Sequence, residues 1–547
     1  MVIGVDLDNT IAWYDTSFRE VALAEGLISP NWNGNDKTEL RDHLRSRPDG
    51  ETKWMKLQGR VYGKFMYRAE MMPGAANFLL KCKALNHSVF IVSHKTEYGH
   101  FDPSKIPLRQ EALKWMEVKG FFDSQYFGIN RENVFFTDSR EEKVEKIACL
   151  KCDYFIDDLP EVFGKKNFPK GTQKVLFGQC DNINFSNPVI QINNWADISN
   201  HVLGSTTGED IKVWSNLLLT NPVSRVEKVS GRGNSRVYKV QTSEESSFAL
   251  KCYPDRLMDA RLRLKTEFRT LRILHQNNIT NVPRAVEKNE DLDIGIYEWI
   301  DGGQVTDPTQ SDLKQAVDFV KQLYFLSEET SEAGINQASE ACLSGADLIR
   351  QIEKRLKILN AEKKTHTELS LFLDQTFPPL WEEVRDASYS AWPAESQGRH
   401  LPGKKQILSP SDFGFHNAIR RVDGRLVFID FDYFGWDDPV KLTADFLWHP
   451  AMELNSEIAV EWKSAMFELF STDPYFESRL EAAMPLYGLR WAMIVLNEFL
   501  PGVVEKRKSA GTTHSHDFEK YRSIQLRKAT RYCERVKSAV RRQQLPN

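Results

Sequence analysis

Five short apolar runs, "MVIGVDL", "HSVFIVS", "NVFFTD", "DYFIDD" and "QKVLFG", fall in the first 180 residues, separated by stretches of helical character. This alternation constrains the fold more than any other feature. Strands that pair across an intervening helix run parallel, and the crossover helices cover the faces of the sheet. Residues 1–195 are therefore expected to form an α/β layer structure.

The first strand ends in "DLDNT", with Asp6 and Asp8 two apart and Thr10 two further on. Asp, Asn and Thr favour turns and helix caps, so the stretch alone has a bland reading. Its chemical reading starts from position. A carboxylate at the carboxyl end of a parallel strand faces the crevice where α/β proteins bind ligands. Two of them repel and are costly to desolvate unless a cation neutralises them, and oxygen-rich clusters suit Mg²⁺. The same edge is expected to carry Ser93, which ends "VFIVS", and Asp157 and Asp158, which end "DYFIDD". Lys143 and Lys146 lie in the helical "SREEKVEKIACL". A nucleophile, an acid, a hydroxyl, an ammonium and further carboxylates are what transfer through an aspartyl-phosphate needs.

With these motifs in this order, residues 1–165 resemble the haloacid dehalogenase (HAD) superfamily. The resemblance implies a phosphatase. Asp6 would be the nucleophile, Asp8 the general acid and base, and Ser93 the hydroxyl that holds a phosphoryl oxygen. Lys143 would offset charge, with Lys146 as the fallback. Mg²⁺ would be bound by Asp157, Asp6 and the backbone carbonyl of Asp8, supported by Asp158. Residues 14–70 would be a mobile cap that selects the substrate. Of the cap cations Arg41, Arg45, Arg47, Arg60 and Lys64, most are expected on a solvated face and one or two on an anionic substrate.

Around "NHVLGSTTGED" the pattern changes, which divides the chain into residues 1–205 and 206–547. Short strand-like runs, "RVYKVQT", "SFALKCY" and "DIGIYEWI", surround one charged helical stretch, 258–276. They imply a small α+β lobe over 206–302. Residues 303–547 read as a helical lobe interrupted by "QILSPSDFGFHNAIRRVDGRLVFIDFDYFGW".

"SGRGNSRVYKV" (230–240) holds Gly231 and Gly233 in a loop that covers a nucleotide or is a plain hairpin. Lys251 in an apolar strand needs a partner, and Glu267 on the following helix is the candidate. Asp412 and Asn417 stand five apart, and Asp430 ends an apolar strand thirteen residues later. That order is the phosphoryl-transfer kit of kinases. Residues 215–500 resemble the aminoglycoside phosphotransferase/choline kinase branch of the kinase-like superfamily. The resemblance implies that Lys251 and Glu267 form the phosphate-holding ion pair and Asp412 is the catalytic base. Asn417 and Asp430 would bind Mg²⁺, and Glu298 and Ile300 would lie in a hinge whose backbone meets the adenine of ATP or GTP. Asp445 would be structural. Pro410 departs from the family, which has His there. His416 is read as a packing residue rather than its replacement.

Seven cysteines, an odd number, fit a reducing, cytoplasmic setting, and the Cys149/Cys152 pair lacks a second pair for zinc. No signal peptide or membrane span is expected. Net charge −4 disfavours a nucleic-acid-coating protein. Residues 520–547 carry nine Lys/Arg and one acid, with Ala529, Tyr532, Val536 and Val540 at helical spacing. That stretch reads as a packed terminal helix, or alternatively as an anion-binding edge. "GTTHSHDF" (511–518) reads as a loop.

The combination implies a bifunctional enzyme: a kinase for a small-molecule hydroxyl acceptor and a phosphatase for a phosphomonoester. Acting on one phosphate the two would only consume ATP, so they are expected to act at different positions. The alternatives are nucleic-acid end repair, or a phosphatase regulated by a nucleotide-binding domain without turnover.

Overall fold

A computed structural model describes residues 1–34, 36–101, 104–180, 188–229, 235–257, 259–330, 334–452, 454–503 and 518–544. Gly231, Gly233 and "GTTHSH" lie outside the described residues.

The N-terminal strands are β1 (Val2–Val5), β4 (Ser88–His94), β5 (Val134–Thr137), β6 (Tyr154–Asp157), β7 (Gln173–Phe177) and β8 (Ile190–Ile192). They form one sheet in the order β5-β4-β1-β6-β7-β8, every neighbour parallel. β1 is central, with Val5 opposite Ile91 on one side and Ile156 on the other. The residues that end β1, β4 and β6 therefore meet at one edge. The three-residue β8 is too short to stand out in the sequence.

Just past β1 the chain leaves through β2 (Ala12–Trp13) and returns through β3 (Glu70–Met71), an antiparallel ribbon. Between them lie α1 (Asp15–Ala24), α2 (Lys37–Arg45) and α3 (Gly50–Tyr62), the segment expected as a cap. The Asp36 side chain caps α2 by accepting the Glu39 N–H at 2.8 Å. α4 (Ala75–Ala84), α5 (Leu108–Val118) and α6 (Arg140–Leu150) are further helices between the strands.

The small lobe is a five-stranded antiparallel sheet, β12-β13-β11-β10-β9. Its strands are β9 (Val223–Val229), β10 (Arg236–Thr242), β11 (Ser247–Cys252), β12 (Ala285–Asn289) and β13 (Ile294–Glu298). The helix Arg263–Gln276 packs on it through Leu264, Phe268 and Leu271. One face of this sheet joins the N-terminal core: Tyr238, Val240, Leu250, Ile294 and Ile296 share a cluster with Phe78, Trp195, Ile198, Ile211 and Trp214. The bridging helix, Gly208–Asn216, also reaches back through the Asp210–Lys81 ion pair at 3.4 Å.

The larger lobe is mostly helical. The segment that interrupts the helices holds short strands, Ile407–Ser409, Ala418–Arg420, Leu426–Phe428 and Gly435–Asp437. The terminal helix Phe518–Gln544 buries Ala529, Tyr532, Cys533, Val536 and Val540 against the helix Phe476–Val495, as its spacing implied. No helix among the described residues is long and apolar enough to cross a membrane.

Gly488 permits this docking, because a Cβ there would stand 2.4 Å from Val536 Cγ2 and 3.0 Å from the Trp448 ring. Gly488→Ala is expected to destabilise the helical lobe by about 1–3 kcal/mol. Adding Val536→Ala should recover part of that loss. Denaturant unfolding of both variants checks this, and additive losses would contradict it.

Candidate active sites

At the N-terminal sheet edge, Lys143 is fully buried and its ammonium sits between two carboxylates, 2.5 Å from Asp6 Oδ1 and 2.7 Å from Asp157 Oδ2. α6 supplies it, and the helix start is fixed by Ser139, which accepts the Glu142 N–H. Lys146 does not join this cluster; its ammonium lies over the Phe135 ring at 4.4 Å. Asp6, Asp157 and Asp158 bring carboxylate oxygens within 4.8 Å of one another. Burial pushes the Asp6 carboxyl up to about 7, Asp157 and Asp8 add to this, and Lys143 opposes it. Burial, then Asp6 and Asp157, also holds Asp158 well above the carboxylate range. Burial alone would discharge Lys143, but Asp157 and Asp6 hold it above the lysine range. Ser93 Oγ is buried beside this cluster's strands with no hydrogen-bond partner.

Asp8 stands apart from the carboxylate cluster. The Tyr14 hydroxyl donates to its Oδ1 at 2.5 Å, and Lys95 Nζ reaches both of its oxygens at 2.7 and 3.0 Å. Sequence reading missed Lys95, although it stands two residues beyond Ser93 in "SHKT".

The named cations of this segment lie on or near the solvated face, where most of them were expected. Arg41 pairs with Asp42, Arg45 with Glu51 and Arg60 with Glu25; Arg47 donates to the Leu27 carbonyl, and Lys64 lies over Phe65. The cap cation that reaches the sheet edge is Lys37, which opens α2 and donates to Asn9 Oδ1 at 3.0 Å and to the Tyr62 hydroxyl at 2.8 Å.

In the C-terminal body, Lys251 on β11 repeats the first arrangement. Its ammonium is 2.6 Å from Glu267 Oε2 and 2.6 Å from Asp430 Oδ1. Glu267 is fixed further by the Tyr253 hydroxyl at 2.6 Å and the Phe431 N–H at 3.3 Å. Burial opposes the charge on Lys251, and Asp430 and Glu267 hold it well above the lysine range. Asp430 lies at φ +69°, an uncommon left-handed conformation for a non-glycine residue. Glu267, Asp430 and Asp432 form a second close carboxylate cluster. Sequence reading overlooked Asp432, the second aspartate of "IDFDYF". It is 3% exposed, bound by Arg263 at 3.0 Å, and its Oδ1 has no partner. Burial, then Asp430, pushes it up to about 7.

Asn417 donates through Nδ2 to the Asp412 carbonyl at 2.9 Å. Asp412 Oδ1 meets His416 Nε2 at 3.0 Å and His449 Nε2 at 3.4 Å. His416 is thus a partner of Asp412, and its Nδ1 is buried without a partner, contrary to its reading as a satisfied packing residue. Asp445 binds Lys441, Arg490 and the Trp491 indole N–H, a scaffold role as expected. Glu298 ends β13 and pairs with Arg421 at 3.3 Å, while Ile300 is buried.

Residues 225–465 match the model of the phosphotransferase enzyme family (APH). No curated protein matches the chain. Similar solved structures include spectinomycin phosphotransferase APH(9)-Ia in complex with ADP and spectinomycin (13% identity, 61% of this chain and 99% of that one, TM-score 0.42). They also include an ethanolamine kinase of Plasmodium vivax (14%, 61% and 92%, 0.40). A third is choline kinase LicA of Streptococcus pneumoniae (17%, 60% and 98%, 0.39).

The raised Asp432 carboxyl takes up a proton on folding between pH about 4 and 7. Its contribution to stability is therefore lost as pH rises through that window. The stability of the parent chain relative to Asp432→Asn should fall with pH by up to about 1.4 kcal/mol per unit. Thermal unfolding of the two proteins from pH 4.5 to 7.5 checks the sign, and a gap that widens in the parent's favour would contradict it.

Proposed function

We propose that the chain is a bifunctional Mg²⁺-dependent kinase and phosphatase acting on small molecules. The observation that carries this reading is the repeated device: a buried lysine clamped between two carboxylates, with a buried oxygen that lacks a hydrogen-bond partner in each body. Three mutually close carboxylates exceed what one lysine can neutralise. The orphaned Ser93 Oγ and Asp432 Oδ1 are partnerless buried oxygens suited to a ligand. Both donor sets are hard oxygens, which fits Mg²⁺. When bound, it supplies charge neutralisation to the phosphoryl oxygens.

In the C-terminal body, Lys251 aligns the donor phosphates and Glu267 fixes its ammonium. Asp412 accepts the proton of the acceptor hydroxyl as that oxygen takes the γ-phosphoryl group of ATP. Asn417, Asp430 and Asp432 would hold Mg²⁺. In the N-terminal body, the Asp6 carboxylate attacks phosphorus while Asp8 protonates the departing alcohol. Asp8 then takes a proton from water, which releases inorganic phosphate and restores Asp6. Lys143 offsets the charge on Asp6, and Ser93 donates to a phosphoryl oxygen. Asp6, Asp157 and Asp158 would hold Mg²⁺, with the Asp8 carbonyl. Lys37, bonded to Asn9 and Tyr62, would read the substrate.

Labelled ATP with Mg²⁺ and a metabolite extract tests both halves in the Asp6→Asn chain, whose phosphatase should not erase the product. A labelled metabolite should form, and Asp412→Asn should lower its rate by about 100-fold or more. Phosphomonoester hydrolysis should be lost in Asp6→Asn and kept in Asp412→Asn. Transfer that survives Asp412→Asn, or hydrolysis that survives Asp6→Asn, would overturn the corresponding half.

A further inference from the structure

Two lysines stand near Asp8, and they are held in different ways. Lys95, one residue past β4, is buried and gives two N–H groups to Asp8, at 2.7 Å to Oδ2 and 3.0 Å to Oδ1. That carboxylate matches its charge. Lys37, the first residue of α2, has neutral partners: Asn9 Oδ1 at 3.0 Å and the Tyr62 hydroxyl at 2.8 Å. Among the described residues no carboxylate oxygen lies within ion-pair reach of its ammonium, and its third N–H has no acceptor. Asp15 does not serve it. One Asp15 oxygen accepts the Lys37 backbone N–H at 3.3 Å and the other accepts the Trp13 indole N–H at 3.0 Å.

One side chain joins the two cations. Tyr62, at the end of α3, offers its hydroxyl to Lys37 and its ring face to Lys95, whose ammonium is 4.7 Å from the ring centroid. Tyr14 stands edge-on to the same ring at 4.8 Å and gives its hydroxyl to Asp8. Asn9, the other anchor of Lys37, follows Asp8 directly in the chain. Burial opposes the charge on Lys37, and Tyr62, then Asp158 and Asp8, hold it above the lysine range. An ammonium bonded to two neutral oxygens, with one N–H open, is matched by an anion from outside the chain. The transferred phosphoryl group already has its lysine, Lys143, between Asp6 and Asp157. Asp8, which protonates the departing alcohol, marks where that alcohol sits, and Lys37 shares that side through Asn9 and Tyr62.

We infer that Lys37 is a specificity residue of the phosphatase site: it binds an anionic substituent on the alcohol part of the substrate, a carboxylate or a second phosphate. This rests on the reading of Asp6 as nucleophile and Asp8 as acid. The test uses the full chain with Mg²⁺ and two matched pairs of phosphomonoesters, followed by phosphate release. One pair is glycerol 3-phosphate and 3-phosphoglycerate, which differ by a carboxylate. The other is fructose 6-phosphate and fructose 1,6-bisphosphate, which differ by a phosphate. The more anionic member of at least one pair should exceed its mate in kcat/KM about tenfold or more, and the pair with the larger ratio identifies the anion. In Lys37→Gln that ratio should fall to about one, through KM, and Lys37→Arg should restore it.

A ratio near one in both pairs overturns the inference. So does a ratio that Lys37→Gln leaves intact while both members slow alike, since Lys37 then touches the transferred phosphoryl group. If Asp6→Asn abolishes hydrolysis in either outcome, the phosphatase reading stands while the inference falls. No hydrolysis by the parent chain, or hydrolysis that survives Asp6→Asn, removes both.

Discussion

A buried lysine held among carboxylates is the interaction on which both halves of this molecule depend. Lys143 joins Asp6 to Asp157, and Lys251 joins Glu267 to Asp430. In each case the carboxylates come from strand ends or a facing helix, and repel one another at close range. Removing the lysine would leave them uncompensated, a change that breaks buried pairs at a cost of about 3–5 kcal/mol. The lysine does not fully neutralise either cluster, and this shortfall is what the proposed Mg²⁺ would make good. The fold therefore spends stability at these edges: the carboxyls of Asp6 and Asp432 are raised, which marks groups that the folded state strains to keep ionised.

The two bodies share more than a linker. The outer face of the small-lobe sheet completes the N-terminal core, and polar contacts frame the seam. Arg256, in the loop after β11, reaches Glu70 of the cap ribbon at 2.5 Å and Asp293 at 3.4 Å. Lys119 pairs with Asp291 at 2.7 Å. Three residues before Arg256, Tyr253 bonds Glu267, the partner of Lys251. The strands through which the cap is attached are thus tied to the loop that adjoins the ion pair of the second site. Packing of this kind fixes the orientation of both sheet edges.

Much of this was legible because strand periodicity and residue chemistry coincide at strand ends. Asp6, Ser93, Asp157 and Asp430 each close an apolar run, so reading the strand also located the acid or hydroxyl. Lys143 and Lys146 share a helix face, and only the tertiary partners separate them: Lys143 reaches Asp6 and Asp157, whereas Lys146, one turn on, lies over Phe135 of β5. The missed residues share a different property: their meaning comes from a partner far along the chain. Lys95 is defined by Asp8 and Lys37 by Asn9 and Tyr62, and no local spacing encodes these meetings. The arginines of residues 14–70 followed the simpler rule of a solvated face. A cation near an expected site is satisfied by whatever acid the local helix offers first.

Pro410 brings no side-chain donor to its loop, whose geometry is held by other bonds. Its carbonyl accepts the Asp412 N–H at 2.8 Å, and Ser411 takes a left-handed conformation at φ +67°. That conformation is costly for a serine and persists only where surrounding bonds over-determine it. Here they do: Lys441 and the Ser339 carbonyl hold its hydroxyl, and Lys441 is in turn set by Asp437 and Asp445. Asp445 also anchors Trp491 and accepts the His449 N–H through its carbonyl at 2.8 Å. One aspartate in the helix Pro439–Trp448 thus supports both the loop that bears Asp412 and the imidazole stacked on its partner His416. A structural residue with no place in the chemistry fixes, at two removes, where the carboxylate points.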